Sequence, residues 1–188
     1  MNINNKTMIL KTILDNEEKI IGFDDIDAFF SFKLNSISEN IMNQDALYDF
    51  SVELNKAKII MFYSTIEIKL KQLVHLYSVF VKKTKDNIWK KNFYGLIKKY
   101  KKNFSVDFKK LDGFKEVNEI REINNCYKHS EKVSKKLGTI NPKRWCKKDK
   151  DDDAIKLKVT EDDFNRLIEP AKGFYWKVFK AYRDYLKI

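Results

Sequence analysis

The sequence predicts an all-α protein, a single helical bundle of about five main helices. Its apolar residues recur at three- and four-residue steps over long stretches, and this spacing places them on one side of a helix. The chain has only five glycines and two prolines among 188 residues, fewer than turn-rich sheet folds usually need. With 43% hydrophobic residues, residues 1–188 are interpreted as one domain with one core.

The first part of the chain predicts helices of unequal strength. Residues 1–20 are polar with a short apolar stretch, which fits a loosely held N-terminal arm or a short helix. Residues 24–37 repeat apolar residues at helical spacing, and acidic residues stand at the favourable start. Residues 45–81 have the strongest helical pattern, with no glycine or proline. Their length suggests a break or bend near Ser51–Asn55.

The middle of the chain predicts two further helices. A basic helix is expected over residues 87–102 with Trp89 on its buried side, followed by a helical turn over 107–111. Another helix is expected over residues 112–130. Residues 131–153 lose the apolar periodicity and predict a long exposed loop.

The end of the chain predicts one short strand and one long helix. Residues 155–159 alternate apolar and charged side chains, which is the period of a strand. Thr160 and the acids after it form a good helix start. In the helix that follows, Pro170 and Gly173 predict a bend or a restart.

The net charge of +11 is concentrated in the middle of the chain. Residues 1–55 carry −6, residues 56–148 carry +17, and residues 149–188 are neutral. A cationic region attracts polyanions by counterion release, and nucleic acid is the leading candidate. The alternative is a solvated lysine-rich surface that reflects a biased genome composition, and both interpretations stay open.

Membrane and metal classes receive no support from the sequence. No apolar run approaches the ~20 residues of a membrane span, and the N-terminus lacks the pattern of a signal peptide. We therefore expect a cytoplasmic protein with no membrane partner, in which Cys126 and Cys146 are free thiols. The two histidines, His75 and His129, stand apart from each other and from the cysteines, so neither a metal nor a cofactor is expected.

The segment Arg121–His129 is the most informative part of the chain, because it places a cation, two amides and a histidine within one predicted helix. Histidine changes charge near neutral pH and can transfer protons. The planar fork of arginine suits a phosphate group. RNA carries its own nucleophile, the 2′-hydroxyl, so this set of groups could cleave it without a metal.

This segment resembles the Arg-Asn-x-x-x-His motif of the HEPN superfamily, and Ile60–Leu70 resembles the long helix that opens the core of those bundles. The resemblance spans about residues 40–188. It implies an RNA-directed protein of a bacterial toxin–antitoxin or phage-defence (abortive infection) type. Such a protein would be a metal-independent endoribonuclease that forms a homodimer. A cognate antitoxin or a larger defence-system effector would be a further partner.

The resemblance also implies roles for particular residues. His129 would be the general acid or base, Arg121 the phosphate clamp, and Asn124 and Asn125 the orienting groups. Six more residues would contact the nucleic acid: Lys128, Lys132, Lys135, Lys136, Arg144 and Trp145.

A non-catalytic HEPN-like module that binds nucleic acid or protein is the alternative. Asn124 stands where the family has arginine, and an amide cannot neutralise developing charge. His129 could instead act as a favourable cation at the end of its helix.

In the homodimer, Cys126 and Tyr127 are the expected contact residues.

Overall fold

The computed structural model describes residues 3–19, 23, 28, 44–84, 87–129, 132–145 and 156–187. This part of the chain is all-α, as the sequence predicts, and five of its seven α-helices are main elements. The helices are α1 Ile3–Lys19, α2 Gln44–Tyr77, α3 Phe93–Phe104, α4 Phe114–His129, α5 Lys135–Ile140, α6 Pro142–Trp145 and α7 Glu161–Leu186. A π-helical turn, Ser78–Lys82, extends α2, and 3₁₀ turns lie at Ile88–Lys90 and Phe108–Lys110.

The centre of the bundle is formed by α2, α4 and α7, which all contact one another. Ile66 of α2, Ile120 of α4 and Phe174 of α7 are completely buried. Full burial of each such side chain contributes about 1.5–3 kcal/mol. Helix α3 packs against this centre through Tyr100, whose hydroxyl donates to the carbonyl of Leu70 at 2.9 Å.

The N-terminal residues form a helix rather than a loose arm. Leu14 of α1 is completely buried, and Asp15 forms a 3.0 Å ion pair with Arg183 of α7. The helix predicted over residues 24–37 lies, apart from Ala28, outside the described residues.

Three sequence predictions between α2 and α6 are corrected. Helix α2 runs unbroken through residues 51–55, so the break considered there is absent. Trp89 is 48% exposed rather than buried, because α3 begins only after Asn92, whose side chain caps it by accepting from the Gly95 amide. Within the loop predicted over residues 131–153, Lys135–Ile140 and Pro142–Trp145 instead form α5 and α6, which bury Leu137 and Trp145. Residues 131 and 146–153 lie outside the described residues.

The strand predicted over residues 155–159 is reduced to a single contact. Within the described residues 156–159, the only β-type pairing is one isolated antiparallel bridge between Lys156 and Lys132. Leu157 and Val159 are buried, whereas Lys156 and Lys158 are exposed, so the predicted alternation of burial is present. Leu157 and Val159 belong to the buried core of the bundle.

Helix α7 begins as predicted and continues where a restart was expected. The Thr160 side chain accepts from the Asp163 amide, and the Asp163 carboxylate accepts from the Thr160 amide, which completes a capping box. The helix continues through Pro170 as one element. Among the residues that the structure describes, no helix combines the length and the apolar character needed to cross a bilayer.

Candidate active-site groove

One side of α4 and the start of α5 form a groove of about 460 Å³. Its lining residues are Glu122, Asn125, Cys126, His129, Ser134, Lys135 and Lys136. The first four follow i, i+3, i+4, i+7 spacing, so they share one face of α4. Four of the sequence-predicted site residues therefore meet here: Asn125, His129, Lys135 and Lys136.

The position of each lysine depends on a local cap. Ser134 precedes α5, and its hydroxyl accepts from the Leu137 amide at 3.1 Å. This bond fixes the first turn of α5, so that Lys135 and Lys136 stand beside the end of α4. Both lysines are exposed, as is His129 at the last position of α4, and all three can reach a ligand.

Glu122 is the groove residue that the sequence analysis missed. It is only 4% exposed, and its carboxylate accepts hydrogen bonds from Arg121 Nη2 and, at 3.5 Å, from Asn125 Nδ2. The signal that could have found it is its spacing, because Glu122 stands three residues before Asn125 and seven before His129.

Arg121 lies behind the groove rather than inside it. The residue is 7% exposed and pairs with Glu122. Its Nη2 also donates to the Tyr94 hydroxyl at 2.9 Å and to Asn118 Oδ1 at 3.0 Å. The guanidinium is thus held by protein groups, and the role of phosphate clamp expected for Arg121 stays a prediction.

Asn124 also stands away from the groove. It is 1% exposed, and neither its Oδ1 nor its Nδ2 has a hydrogen-bond partner among the described residues. It therefore orients nothing in the groove. Cys126 and Tyr127, which we expected at a dimer contact, are 3% and 9% exposed and so are largely covered by the chain itself.

The remaining predicted nucleic-acid contacts divide into two groups. Lys128 and Lys132 are exposed near the end of α4, where a polyanion can reach them. Trp145 is 3% exposed and donates from Nε1 to Glu119 at 2.8 Å, so it offers no ring face to a base. Arg144 donates from Nε to Asp163 at 2.6 Å, so its guanidinium is already paired with a carboxylate of the protein.

Behind Arg121, α2 contributes further buried polar groups. Burial and the neighbouring Glu67 carboxylate raise the pKa of Tyr63 far above its ordinary value. Glu67 forms an i, i+4 ion pair with Lys71, at 2.5 Å. His75 is half-buried, and its ring centroid lies 6.0 Å from that of Trp89.

Comparison of the chain with protein-family models, with curated proteins and with solved structures finds no match. The HEPN resemblance thus depends on the motif residues of this chain. No group of three or more histidine, cysteine or acidic side chains in the described part of the chain is arranged to hold a metal ion.

Proposed function

We propose that this protein is a HEPN-like, RNA-directed protein of a bacterial toxin–antitoxin or phage-defence type. In this proposal it is a cytoplasmic, metal-independent endoribonuclease whose site is the groove between α4 and α5. One observation carries it: His129, Asn125 and two exposed lysines share that groove. RNA cleavage needs a proton-transfer group and a cation close to the phosphate, and the lining of this groove includes both kinds of group.

The chemistry follows from these groups. The imidazole of His129 accepts the proton of a 2′-hydroxyl, and the 2′-oxygen forms a bond to the adjacent phosphorus. The bond between phosphorus and the 5′-oxygen then breaks, and that oxygen takes a proton from a lysine ammonium or from water. Lys135 and Lys136 stabilise the negative charge that gathers on the phosphate oxygens, and this role replaces the arginine of the family motif.

Arg121 and Glu122 act through Asn125. The buried ion pair fixes the Glu122 carboxylate, and that carboxylate accepts from Asn125 Nδ2 at 3.5 Å. The amide is then held with its oxygen available to the groove, one helical turn from His129. Arg121 is accordingly a positioning residue in this mechanism.

A homodimer would supply a second groove and extend the basic surface around it. Residues 56–148 carry +17, so pairing two copies costs electrostatic repulsion. The acidic residues 1–55, which carry −6, could offset part of that repulsion. A cognate antitoxin or a larger defence-system effector would be a further partner of the same basic surface.

The test compares wild type with His129→Ala for cleavage of RNA in EDTA and for growth arrest on expression. His75→Ala is the matched control, because the chain has only these two histidines and His75 lies outside the groove. We expect loss of both activities in His129→Ala alone. Equal cleavage by wild type and His129→Ala would contradict the proposal.

A non-catalytic module is the second candidate, and two observations favour it. The family's arginine position is occupied by Asn124, which is buried, and the nearest arginine, Arg121, is held in an ion pair. Such a module would bind RNA or a partner protein without cleaving it. RNA affinity that falls steeply with salt, with no cleavage in wild type, would favour this candidate.

A further inference from the structure

A second basic surface lies on α3, separate from the groove. Helix α3 buries Phe93, Leu96 and Tyr100 and exposes the opposite side. That exposed side has Tyr94, Lys98, Lys101 and Lys102, which follow i, i+4, i+7, i+8 spacing and so form one stripe, here named the α3 stripe. Over 82–110 the chain has eleven lysines against two acidic residues.

Two lysines of the α3 stripe are available to a ligand. Among the described residues, no carboxylate lies within ion-pair distance of Lys98 or Lys102, whereas Lys101 pairs with Asp107 at 3.2 Å. Exposed ammonium groups about one turn apart on one helix face suit the successive phosphates of an extended polyanion.

Tyr94 is exposed and yet held in place. Its hydroxyl accepts from Arg121 Nη2 at 2.9 Å, and Arg121 Cζ lies 4.7 Å from the centroid of its ring. The residue is nevertheless 51% exposed, so one ring face is covered by the guanidinium while the rest is open. An aromatic ring that is already fixed loses little conformational entropy when a base stacks on it.

We infer that the α3 stripe binds single-stranded RNA, with Tyr94 as a base-stacking platform and Lys98 and Lys102 as phosphate contacts. This inference rests on the proposed function, since RNA is taken as the ligand. Arg121 links the two surfaces, because it contacts Tyr94 of the stripe and Glu122 of the groove. The stripe would hold the strand that continues beyond the groove.

The test measures binding of a fluorescently labelled 12-nucleotide single-stranded RNA in EDTA, in the His129→Ala background so that no cleavage interferes. Tyr94→Leu removes the aromatic ring and should weaken binding on the order of tenfold. Tyr94→Phe, which loses the same hydroxyl but keeps the ring, should stay within about threefold. Equal affinities for the two variants would overturn the stacking role.

The lysines are tested by salt dependence. Lys98→Gln combined with Lys102→Gln should reduce the slope of log affinity against log salt by roughly 1.4, because each single-strand phosphate contact contributes about 0.7. The control combines Lys180→Gln with Lys187→Gln. Lys180 lies on the side of α7 opposite Tyr182, which faces α3, and Lys187 is the exposed residue that follows the end of α7. An equal loss of slope in the control would overturn the assignment.

Two further outcomes separate this inference from the proposed function. If Lys135→Gln weakens RNA binding while both Tyr94 variants bind normally, RNA binding in the groove is supported and the assignment of the α3 stripe is overturned. If neither the wild-type protein nor any variant binds RNA, the proposed function and this inference both fail. Binding of the protein to phosphatidylserine vesicles through Lys98 and Lys102 would then identify a lipid surface as the ligand.

Discussion

Arg121 and Glu122, neighbours in sequence, form an ion pair that is almost completely buried behind the groove. Their side chains are 9% and 5% exposed. Two charges that leave water depend on each other, because either one alone would be costly in that environment. The groove and the α3 stripe both depend on this pair, since Glu122 lines the former and Arg121 holds Tyr94 of the latter.

Glu122→Gln should therefore lower the free energy of unfolding by ~3 kcal/mol, because it leaves the Arg121 charge buried without its counterion. Glu53→Gln is the matched control, since Glu53 pairs with Lys56 at 3.5 Å but is 61% exposed. It should change stability by less than about 0.5 kcal/mol. Urea denaturation measures the free energy of unfolding of both variants. Similar losses in the two would show that the buried pair contributes no more to stability than the exposed pair.

Asn124→Leu should raise the free energy of unfolding by about 1 kcal/mol. The buried amide has no hydrogen-bond partner among the described residues, so an apolar side chain of similar shape removes a desolvation cost. Asn103→Leu is the control, because Asn103 Oδ1 accepts a hydrogen bond from Lys82 at 3.1 Å. This variant should lower the free energy of unfolding by about 1 kcal/mol. Destabilisation by Asn124→Leu, measured by thermal unfolding, would mean that its amide is bonded after all.

Gly113→Ala should be strongly destabilising. Gly113 has φ +83°, and a Cβ there would overlap the carbonyl of Pro170 and lie 2.9 Å from the Cβ of Phe174. We expect a loss of more than about 1 kcal/mol, with a lower melting temperature. Gly173→Ala places its Cβ in open space within α7 and should instead stabilise by roughly 0.5–1 kcal/mol. A Gly113→Ala protein as stable as wild type would contradict the tight approach of α4 to α7.

Asp163 should make stability depend on acid pH. Burial alone would raise the pKa of Asp163, but hydrogen bonds from Arg144 and Thr160 outweigh it and hold this pKa below its ordinary value of 3.8. A carboxyl whose pKa is lower in the folded state stabilises the fold above the unfolded pKa. That stability is lost as the pH falls below about 3.8 toward the folded pKa.

The measurement is the free energy of unfolding between pH 5 and pH 3, compared for wild type, Asp163→Asn and Asp162→Asn. Asp163→Asn should flatten the decline with acid, while Asp162→Asn, which removes an exposed carboxylate from the same helical turn, should leave it close to wild type. A decline of the same steepness in Asp163→Asn and wild type would contradict the linkage.

The elements that the sequence predicts well are those decided by local interactions. Helix α4 and the capping box at Thr160 each depend on residues within one or two turns. Helices α5 and α6 escaped prediction because they are short and owe their stability to tertiary burial of Leu137 and Trp145.

The sequence predicts some of the residues that line the groove and misses others. His129 and Asn125 follow from the motif, and the structure brings Lys135 and Lys136 beside them. The spacing of Glu122 places it on the groove face of α4, but its pairing with Arg121 could not be predicted, because the Arg121 side chain packs against it instead of reaching the groove. A side-chain rotamer set by tertiary packing leaves no trace in residue spacing.

The decisive experiment for RNA cleavage in this groove uses an RNA that has a single 2′-deoxy nucleotide at the site otherwise cleaved. In EDTA, the wild-type protein should cut the all-RNA strand and leave a 2′,3′-cyclic phosphate and a 5′-hydroxyl, because the 2′-oxygen is the nucleophile. The 2′-deoxy strand should stay intact at that position, and His129→Ala should cut neither. Cleavage of both strands at that position, or of neither by wild type, would contradict the claim that this groove cleaves RNA.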